Sequence, residues 1–192
     1  MKRFLVIGAG VLACGAGLSA GRQTPAQTPA APPALTTEVN GYYTAIANYL
    51  VRTLAVVPDD KLTWAPTPEV RSFARMFGHI ADDNNGACFA LAGETTRPAR
   101  VETEDTPNSA ANKMTRAELE KALTDSIALC QKAFATLTPA NMTESNGGRG
   151  TRTKLGNLMY NTSHINEHYG NLVTYLRLNK ITPPSSAGRG GL

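Results

Sequence analysis

Four stretches, each of about twenty residues, carry apolar side chains at helical spacing, and none alternates as a half-buried strand would. The first runs from about Thr37 to Val56, with Tyr43, Ile46, Tyr49, Leu50 and Leu54 on one side. Pro58 stops it, because proline disfavours helix in the residue before it, and Leu62 to Pro68 reads as a rigid connector. Ser72 is a good N-cap for the second helix, which reaches about Ala92 and is ended by Gly93. Its stripe is Phe73, Met76, Phe77, Ile80, Ala87 and Leu91. Thr115 opens the third helix, with Glu118 placed to complete a capping box. That helix continues to about Leu137 along Leu119, Leu123, Ile127, Cys130 and Phe134. The last helix starts at Thr153 or Thr151 and reaches about Leu178. Its core stripe is Leu155, Leu158, Met159, Thr162, Ile165, Tyr169, Val173 and Leu176. These elements predict an all-α four-helix bundle over residues 35–184, with the longer link between helices two and three crossing the bundle.

The start of the chain has a different character. Met1-Lys2-Arg3 is basic, and Phe4 to about Ala20 is apolar, small and uncharged, as in a secretory signal peptide. It is too short and glycine-rich for a comfortable spanning helix. Plain export to the periplasm or the medium is the favoured reading; lipidation of Cys14, after Val11-Leu12-Ala13, and an uncleaved N-terminal anchor are the alternatives. Residues 21–34 are rich in Pro, Ala, Thr and Gln and read as a disordered tether. The Gly/Ser tail, 185–192, is expected to be mobile.

A net charge of +4 is modest, and the Lys and Arg residues are scattered. Nucleic acid is therefore not an expected partner. The mature domain keeps two cysteines, Cys88 and Cys130. They could pair in an oxidising compartment, but the favoured reading is two buried, small apolar side chains.

The chain has three histidines, His79, His164 and His168. His164 and His168 are four apart in a helix, so both imidazoles share a face and can grip one ion. His79 can add a third nitrogen from a facing helix, as bundles do when they build metal sites. The pair lies off the core stripe, with Asn157, Asn161, Asn171 and Tyr175. That face is polar yet carries no Lys, Arg, Asp or Glu, which suits the wall of a cavity better than a solvent face. Three neutral imidazoles leave a further position for water or substrate, and an ion there would lower the pKa of a water or a substrate thiol. Zinc is the default ion, with nickel, iron or manganese as alternatives. Asp83, one turn beyond His79, is either a carboxylate partner for an imidazole N–H or a fourth ligand. Glu167 is a candidate general base, though a solvated helix charge is the favoured reading. Tyr175 is a weaker candidate donor to substrate. His164-x-x-Glu167-His168 also spells the order of inverted zinc proteases, but those need a further carboxylate downstream, and no Asp or Glu follows His168.

Two stretches carry a family resemblance. Trp64-Ala65-Pro66-Thr67-Pro68, Arg71-Ser72 and Gly78-His79-Ile80-Ala81-Asp82-Asp83-Asn84 resemble the second-helix signature of DinB-like proteins. His164-Ile165-Asn166-Glu167-His168-Tyr169-Gly170-Asn171-Leu172, then Tyr175-Leu176-Arg177-Leu178-Asn179 and Pro183-Pro184, resembles the fourth. The resemblance spans essentially the whole mature domain and implies a divalent metal on His79, His164 and His168. Some members are thiol-dependent transferases or isomerases; the export-like start departs from the cytosolic members. The reading that results is a metal-dependent hydrolase or transferase acting on a small molecule. The alternative is a non-catalytic metal-binding or stress-related bundle of the cell envelope. A homodimer is compatible with either.

Overall fold

Three of the four helices begin at a residue whose side chain caps them; the first follows Ala34, which offers no side-chain cap. Ser72 Oγ accepts from the Arg75 N–H at 3.2 Å, and Thr153 accepts from the Gly156 N–H at 3.0 Å. Thr115 and Glu118 form the full capping box, which satisfies two helix-end donors at once. The four helices are α1 (Leu35–Val56), α2 (Phe73–Cys88), α3 (Arg116–Ala135) and α4 (Lys154–Leu178). Short 3-10 turns at Asp59–Lys61 and Ala110–Lys113 punctuate the links. The computed structural model describes residues 34–103, 107–147 and 152–187, all within one unit, Pro33–Leu192. The expected signal peptide, Cys14 and nearly all of the tether lie outside the described residues. Among the described residues no helix is long and apolar enough to cross a membrane.

The expected stripes meet in one core. Tyr43, Leu50, Phe73, Phe77, Ile80, Leu119, Leu123, Leu158, Ile165, Leu172 and Leu176 are fully buried. Truncating any of these leucines to alanine should cost about 2–5 kcal/mol through lost transfer and a residual cavity. α2 packs against both α3 and α4, and α1 against the same two. The pairs α1–α2 and α3–α4 therefore stand diagonally. This corrects the expected path: the two shorter links span the diagonals, and the long link from Phe89 to Thr115 joins neighbours. The first link makes its crossing through a 3-10 turn and successive turns and bends, so length alone does not decide which helices a link joins. Arg116, at the start of α3, donates to the carbonyls of Leu54 and Val57 and so ties down the end of α1.

Three further expectations need correction. α2 ends as an α-helix at Cys88 rather than Ala92, and turns carry the chain on to Gly93. There Gly93 takes φ +79°, and the Glu94 N–H closes back on the Phe89 carbonyl at 3.0 Å, a glycine-terminated helix end. Met159 is 48% exposed; it lies on the outer flank of its stripe, beside Leu35, Val39 and Tyr42 of α1. Residues 185–187 of the expected tail form a turn, with the Ser185 N–H donating to the Tyr169 hydroxyl at 3.1 Å, and 188–192 lie outside the described residues. Cys88 and Cys130 are joined as a disulfide with Cα atoms 5.0 Å apart. The α2–α3 contact brings them within bridging reach, which spacing along the chain did not reveal.

Candidate metal centre

The site is built where α2 and α4 face each other. On α2, His79 and Asp83 are four residues apart, so they share a face while Phe73, Phe77 and Ile80 turn inward. On α4, Asn161, His168 and Tyr175 repeat every seven residues and are all buried. The polar, uncharged face of α4 is thus an inter-helix seam, except at Asn171, which is exposed. Its amides are used: Asn161 donates to Asn84 at 2.9 Å, Asn84 to Ser126 at 3.2 Å, and Asn157 to the Ala87 carbonyl at 2.8 Å. Buried polar groups matched in this way fix the register of α4 against α2, since a slip would leave each of them unpaired.

The seam brings the three histidines together with Asp83. One ligand atom from each of His79, Asp83, His164 and His168 lies within 4.8 Å of all the others. Asp83 Oδ2 stands 3.2 Å from His79 Nε2, 3.1 Å from His164 Nε2 and 3.9 Å from His168 Nε2. The Nε2 atoms of His164 and His168 are 3.1 Å apart. Ligands held at ~2.1 Å from a common ion in a tetrahedron stand about 3.4 Å from one another, so these separations match a single ion. Asp83 Oδ2 is buried and accepts no hydrogen bond. An orphaned carboxylate oxygen with imidazole nitrogens aimed at it fits a cation, because an unmatched buried acceptor is costly.

The electrostatics agree with that fit. Burial pushes the His168 pKa down to about 3, with the neighbouring His79 and His164 acting in the same direction. Its imidazole is therefore neutral near pH 7, the form that coordinates metals. Burial raises the Asp83 pKa, opposed by His79 and His164.

One contributor has no counterpart in the sequence reading. Glu102, on the long link, is 2% exposed, and its Oε2 lies 3.4 Å from His79 Nδ1. It is gripped by Arg71 at 3.0 Å and Arg75 at 3.2 Å. Burial pushes its pKa up, but hydrogen bonds from His79 and Arg71 and the charge of Arg71 outweigh that and hold it low. Ionised Glu102 holds the proton of His79 on Nδ1 and frees Nε2 to face Asp83. Asp82 fastens the same link by accepting the Val101 and Glu102 N–H groups at 2.7 and 2.9 Å. Gly78 makes the approach feasible: a Cβ there would stand 3.0 Å from Ala111 Cβ and 3.1 Å from Val101 Cγ1. The only signals in the sequence were the Arg71 quoted with the signature and the glycine before His79.

The other candidates fall elsewhere. Glu167 is 71% exposed and lies 4.0 Å from His164 Nδ1, on the ring nitrogen that faces away from Asp83. Tyr175 is packed edge-on between Trp64 and Phe73, at 5.9 and 5.5 Å, and burial raises its hydroxyl pKa.

The sequence profile of the DinB superfamily matches residues 42–172, which include every histidine of the centre. The chain belongs to the DinB superfamily. A solved structure titled as that of the conserved protein of a locus from Enterococcus faecalis superposes with a TM-score of 0.61. The likeness covers 77% of this DinB chain and 98% of the other, at 16% sequence identity, and shows the shared fold. No curated protein matches the chain in sequence.

Proposed function

We propose that this DinB-superfamily protein is an exported, metal-dependent hydrolase or transferase that acts on a small molecule. A single divalent ion is held by His79, His164, His168 and Asp83. The observation that carries the reading is the orphaned Oδ2 of Asp83 ringed by three imidazole nitrogens. Zinc is the proposed ion, with nickel, iron or manganese accepted by the same donors. When bound, such an ion supplies Lewis acidity and lowers the pKa of a water or a substrate thiol toward neutrality.

The chain's own groups set the stage. Glu102 keeps His79 in one tautomer, and Arg71 and Arg75 keep Glu102 ionised and in place. Glu167, exposed and 4.0 Å from the outer ring nitrogen of His164, is beyond hydrogen-bond reach and stays a solvated helix charge. An open cleft of about 260 Å³ borders His164 and Asp83 and gives a small molecule room beside the donors. Export is supported by the basic and apolar start of the chain and by the Cys88–Cys130 disulfide, since disulfides persist in oxidising compartments.

Four protein donors also suit a closed, structural zinc shell. That observation favours a second reading, a non-catalytic metal-binding bundle of the cell envelope. Cobalt substitution separates the two. If a coordination position is open to substrate, the visible bands of the cobalt protein shift when a simple thiol or azide is added. Bands untouched by either ligand would leave only the structural reading.

A further inference from the structure

The cleft beside the metal centre has a wall of its own chemistry. Its lining includes Asp83, His164, Asn157, Tyr160, Arg97 and Arg152. Among the described residues neither arginine has a carboxylate partner. The nearby acids are already committed: Asp82 accepts two backbone N–H groups and stands 3.6 Å from Arg100, and Asp83 turns to the histidines.

Both guanidiniums are seated by specific features. Arg152 lies over the Tyr160 ring, 3.7 Å from its centroid, and Tyr160 in turn stacks on His164 with the planes 7° apart. The Arg152 backbone is pinned by the Asn146 N–H, which donates to its carbonyl at 3.2 Å. Arg97 rests on the bare backbone of Gly86, where a Cβ would stand 2.6 Å from Nη2. A glycine inside a helix costs helix stability, and here it makes room for a guanidinium. Arginine presents a planar fork of donors that matches carboxylate and phosphate oxygens.

We infer that the substrate of this centre carries an oxyanion, a carboxylate or a phosphate. Arg97 and Arg152 bind that group, and the reacting end of the molecule faces His164 and Asp83. The second half of this statement rests on the proposed metal chemistry; the first half does not.

Calorimetric titration tests it on the full chain, zinc-loaded and metal-free, with inorganic phosphate in one arm and malonate in the other. Binding of at least one anion is expected, and the arm that binds identifies the oxyanion. Arg97→Gln and Arg152→Gln should each weaken it about tenfold, the value of one charge-assisted contact. Gly86→Ala should raise the melting temperature slightly through helix propensity yet weaken the anion, because it displaces the Arg97 guanidinium. Elemental analysis of the same samples should find metal content unchanged in all three variants. Binding of neither anion to the wild-type chain, or equal binding by wild type and the doubly substituted chain, overturns the inference. Anion binding that depends on the arginines in a chain that takes up no metal would sink the metal reading and leave the subsite standing.

Discussion

Two pairs of arginines flank the candidate metal centre, and they differ in everything but residue type. Arg71 and Arg75 converge on the buried carboxylate of Glu102, and Arg75 is only 4% exposed. Arg97 and Arg152 line an open cleft, rest on a glycine and a tyrosine ring, and meet no carboxylate among the described residues. Burial and partner assign the roles. A guanidinium inside the protein must be neutralised, so the first pair is committed to holding His79 in place through Glu102. The second pair has no such commitment among the described residues and is the one the proposed oxyanion would meet. The centre therefore has a locked side, facing the long link, and a receptive side, facing solvent.

The contrast is broken most directly by removing Glu102. Glu102→Ala leaves two guanidiniums without their shared carboxylate and should cost about 3–5 kcal/mol. Urea denaturation measures it, and a loss below about 1 kcal/mol would mean that the locked side is not locked. Next in size is the Cys88–Cys130 disulfide, which closes a sequence separation of 42 residues and fastens α2 just beyond Gly86. Reduction should cost about 3–4 kcal/mol on the loop-entropy account. A melting curve insensitive to reductant would argue against it.

Acid is third. In the metal-free protein His168 is neutral when folded, with a pKa near 3, and titrates near ~6.5 when unfolded. Below that value the unfolded chain binds the extra proton. Stability should therefore be intact above about pH 6.5 and fall as pH drops toward 3, by at most about 1.4 kcal/mol per pH unit. His168→Gln should flatten that slope in denaturation curves taken between pH 4 and 7. Smallest is Arg97→Gln or Arg152→Gln, each expected to change stability by no more than about 0.5 kcal/mol, since neither holds a buried partner. A loss comparable to that of Glu102→Ala would erase the distinction between the two sides.

The helices and the histidines were legible because both follow local rules. Ser72, Thr115 and Thr153 announce helix starts by side-chain chemistry, and the spacing of His164 and His168 fixes their common face. The uncharged face correctly signalled a wall at Asn157 and Asn161, which bond to α2, but not at Asn171, which is exposed to solvent. Glu102 was not legible, because it reaches His79 through a link without periodicity, and one acid among several there carries no signal of burial. The disulfide was missed for a related reason: Cys88 and Cys130 sit at ordinary apolar positions, and only the packing of α2 on α3 makes them neighbours. The diagonal arrangement of consecutive helices was likewise a matter of packing, since link length alone does not say which helices touch.

The account stands on one ion shared between α2 and α4. Tag-free protein loaded with zinc and freed of excess should hold one equivalent by elemental analysis. His79→Ala and His168→Ala should each bind far more weakly, by about 10- to 100-fold or more, because the remaining donors no longer enclose the ion from both helices. One equivalent retained at unchanged affinity in both variants, or no stoichiometric metal in the unaltered protein, would contradict it.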